Sequence, residues 1–409
     1  LSLHDALPIW RAVGVQAVRC HLYEGVAVPR PLVATLAGAV DTVAPRPAQS
    51  VLEVAELAVH FPVRKGFLRR TVGHVKAVDG VSLRLQAGRT LALVGESGCG
   101  KTTVGKALLR LIDPTAGRLW LDGERYDTLP AQALHPLRRA VQMVFQDPFA
   151  SLDPRMRVGE IIEEGLVALG IGADHRERQA RVADLLERVG LSADMRWRYP
   201  HEFSGGQRQR IAVARALAVA PRVIVCDEPT SALDVSVQAQ LLNLMRELQR
   251  EEGLTYLFIT HNLAVVEYLA DEVAVMYLGR IVEEGPIEHV LGVPAHPYTR
   301  ALLAAVPRIE RAVGTVPDVG VAERGSSRVE AAGGEVVGRE VAAGDIPGAD
   351  STPAGTIMAD LPSPLAPPAG CHFHPRCPHA TDVCRIRYPE PADLGQGHRV
   401  RCHWPLVRP

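Results

Sequence analysis

Apolar residues recur along the middle of the chain with two periods, one suited to strands and one to helices. Val51 to Val59 and Val81 to Leu85 alternate apolar and polar positions like half-buried strands. Thr90 to Val94, Val141 to Phe145, Val223 to Asp227 and Leu254 to Ile259 are near-continuous apolar runs, as expected of strands covered on both faces. Between them the spacing turns helical. Thr102 to Leu111 reads as a helix, as do the stripes Ile161, Ile162, Leu166, Leu169 and Val182, Leu185, Leu186, Val189 within 156–200. Ile211, Ala214, Arg215 and Leu217 share a helix that Pro221 stops, and Leu241, Leu244, Met245 and Leu248 form a stripe that Gly253 ends. The pattern predicts an α/β fold with a helical insert.

The flanks look different. Residues 1–49 show no clear periodicity and read as a leader, but Val18-Arg19-Cys20-His21 recurs as Val400-Arg401-Cys402-His403. That repeat is either the remnant of a preceding similar unit or a coincidence in an Arg/Val-rich chain, and the first nine residues read as an artefact. Residues 311–369 are rich in Gly, Ala, Val and Pro without period and are expected to form a flexible linker. The linker separates a domain over 50–310 from a Cys-rich module over 370–409.

Composition narrows the class. At 409 residues the chain can bury a large core, and its net charge of −1 offers no global attraction to nucleic acid. It carries no run of eighteen uncharged apolar residues and no signal-peptide pattern near its start, so a soluble, cytoplasmic chain is expected. Seven cysteines, four of them in the last forty residues, favour metal ligation over disulfides in a reducing compartment.

The candidate chemistry starts at Gly95-Glu-Ser97-Gly98-Cys-Gly100-Lys101-Thr102-Thr103, which fits the phosphate-binding loop Gly-x-x-x-x-Gly-Lys-[Ser/Thr]. Backbone N–H groups of such a loop cradle phosphates, Lys reaches the terminal ones, and the following helix N-terminus completes an anion site. The chain has four lysines, and one stands here. Further on, Gln146 follows a buried strand, and Ser204-Gly205-Gly206-Gln207 opens a helix with an oxygen and bare N–H groups suited to a second phosphate. Asp227 and Glu228 end an apolar strand. Side by side, two carboxylates are costly to desolvate unless a cation compensates, so Asp227 is expected to hold Mg²⁺ and Glu228 to orient an attacking water. Ser231-Ala-Leu-Asp234 opens the next helix, and His261 lies past a strand end, where open α/β sheets bind ligands. Phe61 is a candidate to stack on an adenine ring.

Taken in order, these six pieces resemble the ATP-binding cassette of ABC-type ATPases over Val51 to about Pro307. The resemblance implies a P-loop NTPase with a RecA-like core, an antiparallel β subdomain and a helical subdomain. It also implies that Lys101 and the loop amides hold ATP, Thr102 and Asp227 position Mg²⁺, Gln146 senses metal and water, Glu228 is the general base, and His261 contacts the γ-phosphate. The signature begins Phe-Ser-Gly-Gly where the family more often has Leu, which leaves Ser204 and Gly206 intact. In the family those two residues complete the site of a partner cassette, so a head-to-tail dimer with a second, homologous ATPase subunit is expected.

Ala295-His-Pro-Tyr-Thr-Arg-Ala-Leu-Leu-Ala-Ala-Val-Pro307 and Cys371-His-Phe-His-Pro-Arg-Cys377-Pro are similar to the ATP-binding subunits of oligopeptide and dipeptide importers. That implies two transmembrane permease subunits, a substrate-binding protein, no nucleic acid, and a peripheral place on the cytoplasmic face of the inner membrane. The segment after Gln146 and the helices of 156–200 would form the docking surface. Cargo is not written in the chain; a non-peptide cargo such as nickel is the alternative within the class. Repair ATPases separate the phosphate loop from the signature by a long coiled coil, whereas Lys101 and Ser204 are about a hundred residues apart without sustained heptads. Translation factors carry two full cassettes, and a non-enzymatic regulator would have a degraded catalytic set, so both fit poorly.

Cys371, Cys377, Cys384 and Cys402 are separated by five, six and seventeen residues, in a segment too poor in apolar side chains to fold without a staple. Four thiolates suit tetrahedral Zn²⁺ or a [4Fe–4S] cluster, and spacing does not decide between them. Resemblance to importer subunits in which this tail holds a cluster favours iron–sulfur.

Overall fold

A computed structural model describes residues 10–13, 16–19, 50–65, 70–305 and 362–407. The chain divides into two units, Leu1–Ala48 and Gln49–Pro409. In the first, β1 (Trp10–Val13) and β2 (Gln16–Arg19) pair antiparallel, Trp10 opposite Arg19. Four-residue strands are too short to display a period, which explains the silent pattern there. Val18 and Arg19 of the repeated tetrapeptide lie in β2, while its Cys20 and His21 lie outside the described residues.

The second unit opens with the antiparallel hairpin of β3 (Ser50–Lys65) and β4 (Arg70–Gln86). β5 (Thr90–Val94) enters another sheet and leads through a glycine-rich loop into α1 (Lys101–Leu108). β6 (Ala116–Leu121) and β7 (Glu124–Arg125) return to the hairpin, giving the order β4-β3-β6-β7. α2 (His135–Ala140) then delivers β8 (Val141–Val144) to the other sheet. Four helices follow, α3 (Pro148–Ser151), α4 (Val158–Ala168), α5 (His175–Arg188) and α6 (Gly205–Leu217). The chain returns through β9 (Val223–Asp227), α7 (Val235–Glu252), β10 (Thr255–Thr260), α8 (Leu263–Leu269), β11 (Glu272–Tyr277) and β12 (Arg280–Pro286). It continues with α9 (Ile287–Gly292) and α10 (Pro297–Ala304), and the tail contributes α11 (Asp382–Ile386), β13 (Ala392–Asp393) and β14 (Arg399–Val400).

The larger sheet runs β13-β14-β12-β11-β5-β10-β9-β8. β11, β5, β10, β9 and β8 are parallel, so β5, β8, β9 and β10 all release their chains at one edge. Ligand sites of open parallel sheets form at that carboxyl edge. β5 and β9 coincide with the expected apolar runs and are buried throughout, as strands covered on both faces must be.

Other boundaries move. The hairpin strands are much longer than Val51 to Val59 and Val81 to Leu85, because bulges between Val54 and Leu57 and between Val59 and His60 break the alternation that marks a strand. Phe61 therefore stands on β3 opposite Val75, not in a connection between strands. α1 stops at Leu108, short of Leu111, because Arg110 takes a left-handed φ of 52°.

The tail corrects a larger expectation. The Cys-rich segment is not a separate module: β14 pairs with β12, Val400 opposite Glu283, and the segment belongs to the same compact unit as the rest of the larger sheet. Of the expected linker, residues 311–361 lie outside the described residues, whereas Pro364 accepts a hydrogen bond from the Lys76 N–H at 3.2 Å and so sits against β4.

The helical insert is fastened by one apolar cluster in which Ile162, Leu166, Val182 and Leu186 of α4 and α5 meet Ile211 of α6 and Leu241 of α7. Ile162 is fully buried, and truncating it to Ala costs about 2–5 kcal/mol. Glu163, buried among these helices, accepts from Arg178 Nε at 2.7 Å, Gln179 Nε2 at 2.7 Å and His175 Nδ1 at 3.0 Å. These bonds outweigh a burial that alone would raise it, and hold its carboxyl below the usual range.

Candidate functional site

The loop from Gly95 to Gly100 joins β5 to α1 and needs glycine where it is tightest. Gly95 has φ 153°, and a Cβ there would lie 2.2 Å from the Met276 carbonyl oxygen; Gly100 has φ 109°, and its Cβ would meet Ala77 O at 2.0 Å. Ser97 and Gly98 form the outer turn, and Thr103 lies in the first turn of α1. Lys101 is buried, with Nζ donating to Gly95 O at 2.8 Å and Glu96 O at 2.9 Å. Its ammonium thus faces the concave side of its own loop, where a phosphate oxygen can take over from the carbonyls. Tyr298 Oη accepts from the Glu96 N–H at 2.9 Å, fixing the loop from α10.

Thr102 Oγ1 donates to Asp227 Oδ1 at 2.9 Å, which brings the end of β9 to the start of α1. Asp227 is only 2% exposed, and burial raises its carboxyl pKa, helped by the neighbouring Glu228 charge and opposed by the Thr102 bond. A cation would relieve that cost, so this donor pair fits Mg²⁺. Glu228 takes a left-handed φ of 45°, rare for a side chain with Cβ, and its N–H donates to Ile259 O at 2.9 Å. Both oxygens of its carboxylate have partners. Gln146 Nε2 donates to Oε2 at 3.1 Å and His261 Nδ1 lies 3.1 Å from Oε1.

The structure therefore gathers Lys101, Thr102, Gln146, Asp227, Glu228 and His261 at the carboxyl edge of the parallel sheet. Ser204, Gly206 and Gln207 stand apart. Ser204 caps α6, its Oγ accepting from Gln207 N at 3.3 Å while Gln207 Oε1 accepts from Ser204 N at 3.0 Å. Among the described residues neither side chain bonds to the phosphate loop. Gly206 is packed against α7, where a Cβ would come 2.4 Å from Val237 Cγ1. Phe61 is 40% exposed on β3.

Cys371, Cys377, Cys384 and Cys402 line one pocket with His296 and Phe373. Burial, reinforced by the other thiols, pushes Cys371 up to about 11 and Cys402 up to about 12. Among the described residues no three Cys, His, Asp or Glu side chains are set in a coordination geometry. The geometry therefore does not support the expected metal centre, and the four thiols share only the lining of that pocket.

This sheet, loop and edge of polar side chains define an ATP-binding-cassette ATPase. The model of the ABC transporter family matches residues 78–231, and that of the oligopeptide/dipeptide transporter C-terminal region matches 282–332 and 346–384. The dimeric post-hydrolysis structure of the ATP-binding cassette MJ0796 bound to ADP and Pi is 28% identical, with a TM-score of 0.52 over 58% of this chain and 98% of its own. Curated relatives are nearer in sequence. A probable peptide ABC transporter ATP-binding protein, y4tS of Sinorhizobium fredii, is 46% identical over 87% of this chain and 90% of its own. The oligopeptide transport ATP-binding protein AppF of Bacillus subtilis is 45% identical over 87% and 97%, and the di/tripeptide transport ATP-binding protein DppF of Pseudomonas aeruginosa 44% over 87% and 98%. The chain belongs to the ATP-binding proteins of peptide ABC transporters.

Sequence reasoning missed Glu96 and Tyr298 as parts of the site. Tyr298 lies in the His-Pro-Tyr stretch noted only as a family mark, and no local spacing reveals a bond 202 residues long.

Proposed function

We propose that this chain hydrolyses ATP to drive peptide import, with Glu228 as general base. The observation that carries this is the Glu228 carboxylate held between Gln146 and His261, beside the Thr102–Asp227 pair. Lys101 and the amides of Gly95–Thr103, with Ser97, Gly98 and Gly100 in the turn, bind the β- and γ-phosphates. Thr102 and Asp227 would hold Mg²⁺, which when bound supplies neutralisation of phosphate charge. Glu228 accepts a proton from water, Gln146 orients that water, and His261 steadies both Glu228 and the γ-phosphate; positioning and charge neutralisation supply most of the rate. Phe61 stacks on the adenine.

Ser204, Gly206 and Gln207 sit away from the chain's own loop, which supports a role at the loop of a partner cassette in a head-to-tail dimer with a homologous subunit. Among the described residues no helix is long and apolar enough to cross a membrane, so permease subunits would supply the path, with this chain peripheral on the cytoplasmic face of the inner membrane. Exposed Phe149, just past Gln146 and under the Arg208 guanidinium at 3.6 Å, supports docking there. A substrate-binding protein delivers the peptide. Cys371, Cys377, Cys384 and Cys402 would hold a [4Fe–4S] cluster, with Zn²⁺ as the alternative, clamping the tail without a redox role.

Affinity purification from membranes tests this reading. Two permease chains, a second ATPase chain and ATP turnover stimulated by a peptide-loaded binding protein are expected. Recovery with ribosomes or DNA, and no permease, would sink it.

A further inference from the structure

The Cys-rich tail reaches the phosphate loop. Arg376 Nη1 donates to Glu96 Oε2 at 2.8 Å and Nη2 to Glu96 Oε1 at 2.9 Å, a bidentate pair across 280 residues of chain. The Arg376 side chain is 7% exposed and that of Glu96 26%, so the pair is largely shielded from solvent. Such a fork fixes direction as well as distance. The guanidinium also lies 3.4 Å from Tyr277 Oη, at the end of the strand beside β5.

A second grip comes from the same stretch. His372 Nδ1 donates to Leu278 O at 3.2 Å, and Leu278 and Gly279 form the turn after β11. Gly279 N in turn donates to Cys99 O at 2.9 Å, inside the phosphate loop. Phe373 packs on Tyr277 and Tyr298, with ring centroids 5.3 and 5.4 Å apart, and Tyr298 Oη is the acceptor for the Glu96 N–H. Both ends of residues 96–99 are thus tied to residues 372–376.

The glycines that let this loop wrap a phosphate also leave it entropically loose, and loose loops lose affinity to ordering. A carboxylate at Glu96 would moreover repel phosphate if it were unpaired. We propose that Arg376, through its bidentate grip on Glu96, is a positioning residue for the phosphate loop, so that the Cys-rich tail sets nucleotide affinity. This rests on the assignment of Gly95–Thr103 as the phosphate-binding loop.

The test is equilibrium binding of ADP and of a non-hydrolysable ATP analogue to the full-length chain, alongside thermal unfolding without nucleotide. Arg376→Ala and Glu96→Ala should each raise Kd about tenfold, the loss expected for a charged hydrogen bond, and the double variant should be no worse than either. Arg376→Lys, which keeps charge but not the fork, should fall between. A purely structural arginine would lower the unfolding midpoint and leave Kd of the folded protein unchanged. That result, or a double variant whose loss is the product of the singles, overturns the proposal. If Arg376→Ala does not fold, an unchanged Kd in Glu96→Ala overturns it. Lys101→Ala separates the two levels: if it binds nucleotide like the parent, the phosphate-loop assignment itself fails.

Discussion

His261 Nδ1 and Glu228 Oε1 lie 3.1 Å apart, so the histidine steadies the carboxylate from the side opposite Gln146. These two partners fix the orientation of the Glu228 carboxylate. Changing it to Gln keeps size and hydrogen bonding but removes the proton acceptor. Turnover in the assembled complex should fall by about a hundredfold or more while nucleotide affinity stays within threefold or so. Steady-state ATPase rates with parallel nucleotide binding check this, and near-parental turnover would unseat Glu228 as the base.

Ser204 should act on a neighbour. Ser204→Arg is expected to abolish hydrolysis at the partner's phosphate loop while sparing ATP binding at this chain's Lys101. Photo-crosslinking of labelled nucleotide to each subunit separates the two defects; label lost from this chain alone would contradict a head-to-tail arrangement. Removing the Ser204 cap also costs about 1 kcal/mol of helix stability, which a thermal scan corrects for.

The four tail cysteines should act together. An anaerobic preparation is expected to be brown, with broad visible absorption, and Ser at any one of Cys371, Cys377, Cys384 or Cys402 should bleach it. A colourless anaerobic protein with stoichiometric zinc would replace iron by zinc and leave the ligands in place.

His296 gives a stability that depends on pH. Burial holds its pKa down to about 4, against a partial opposing pull from Glu283, and its Nδ1 accepts from Tyr298 N at 3.0 Å, which requires a neutral ring. The unfolded chain takes up a proton below the ordinary value of 6.5, and the folded chain does not until about 4. Its contribution is therefore complete above pH 6.5 and lost progressively as pH falls towards 4. The unfolding midpoint should drop across that window, and His296→Asn, which keeps an acceptor for the Tyr298 N–H, should flatten the drop. Equal slopes in both proteins would refute the assignment.

Legibility tracked sequence distance and burial. β5 and β9 could be read off because buried parallel strands are apolar at every position, and Gly95 and Gly100 because a phosphate loop tolerates nothing larger there. The meeting of Thr102 with Asp227 was implied only by the family resemblance, and the shared carboxyl edge of β5 and β9 accounts for it. β3 and β4 could not be measured by pattern, since their bulges reset the alternation. Nor could the joining of Val400 to Glu283 be seen, because two-residue strands carry no period and their partner lies far back in the chain.

That joining has a consequence for the protein while it is being made. β12 leaves the ribosome with its outer side open, and the pairing of Glu284 with Arg399 waits for more than a hundred further residues. At bacterial speeds the wait is about ten seconds, long enough for an unpaired strand edge to find another chain. Glu284, an acidic residue on that edge, is placed to repel a second copy during the interval. Once β14 arrives, His398 Nε2 reaches Glu283 Oε1 at 2.8 Å, beside the Ala295 and His296 N–H groups that this carboxylate also accepts from, and the edge is sealed.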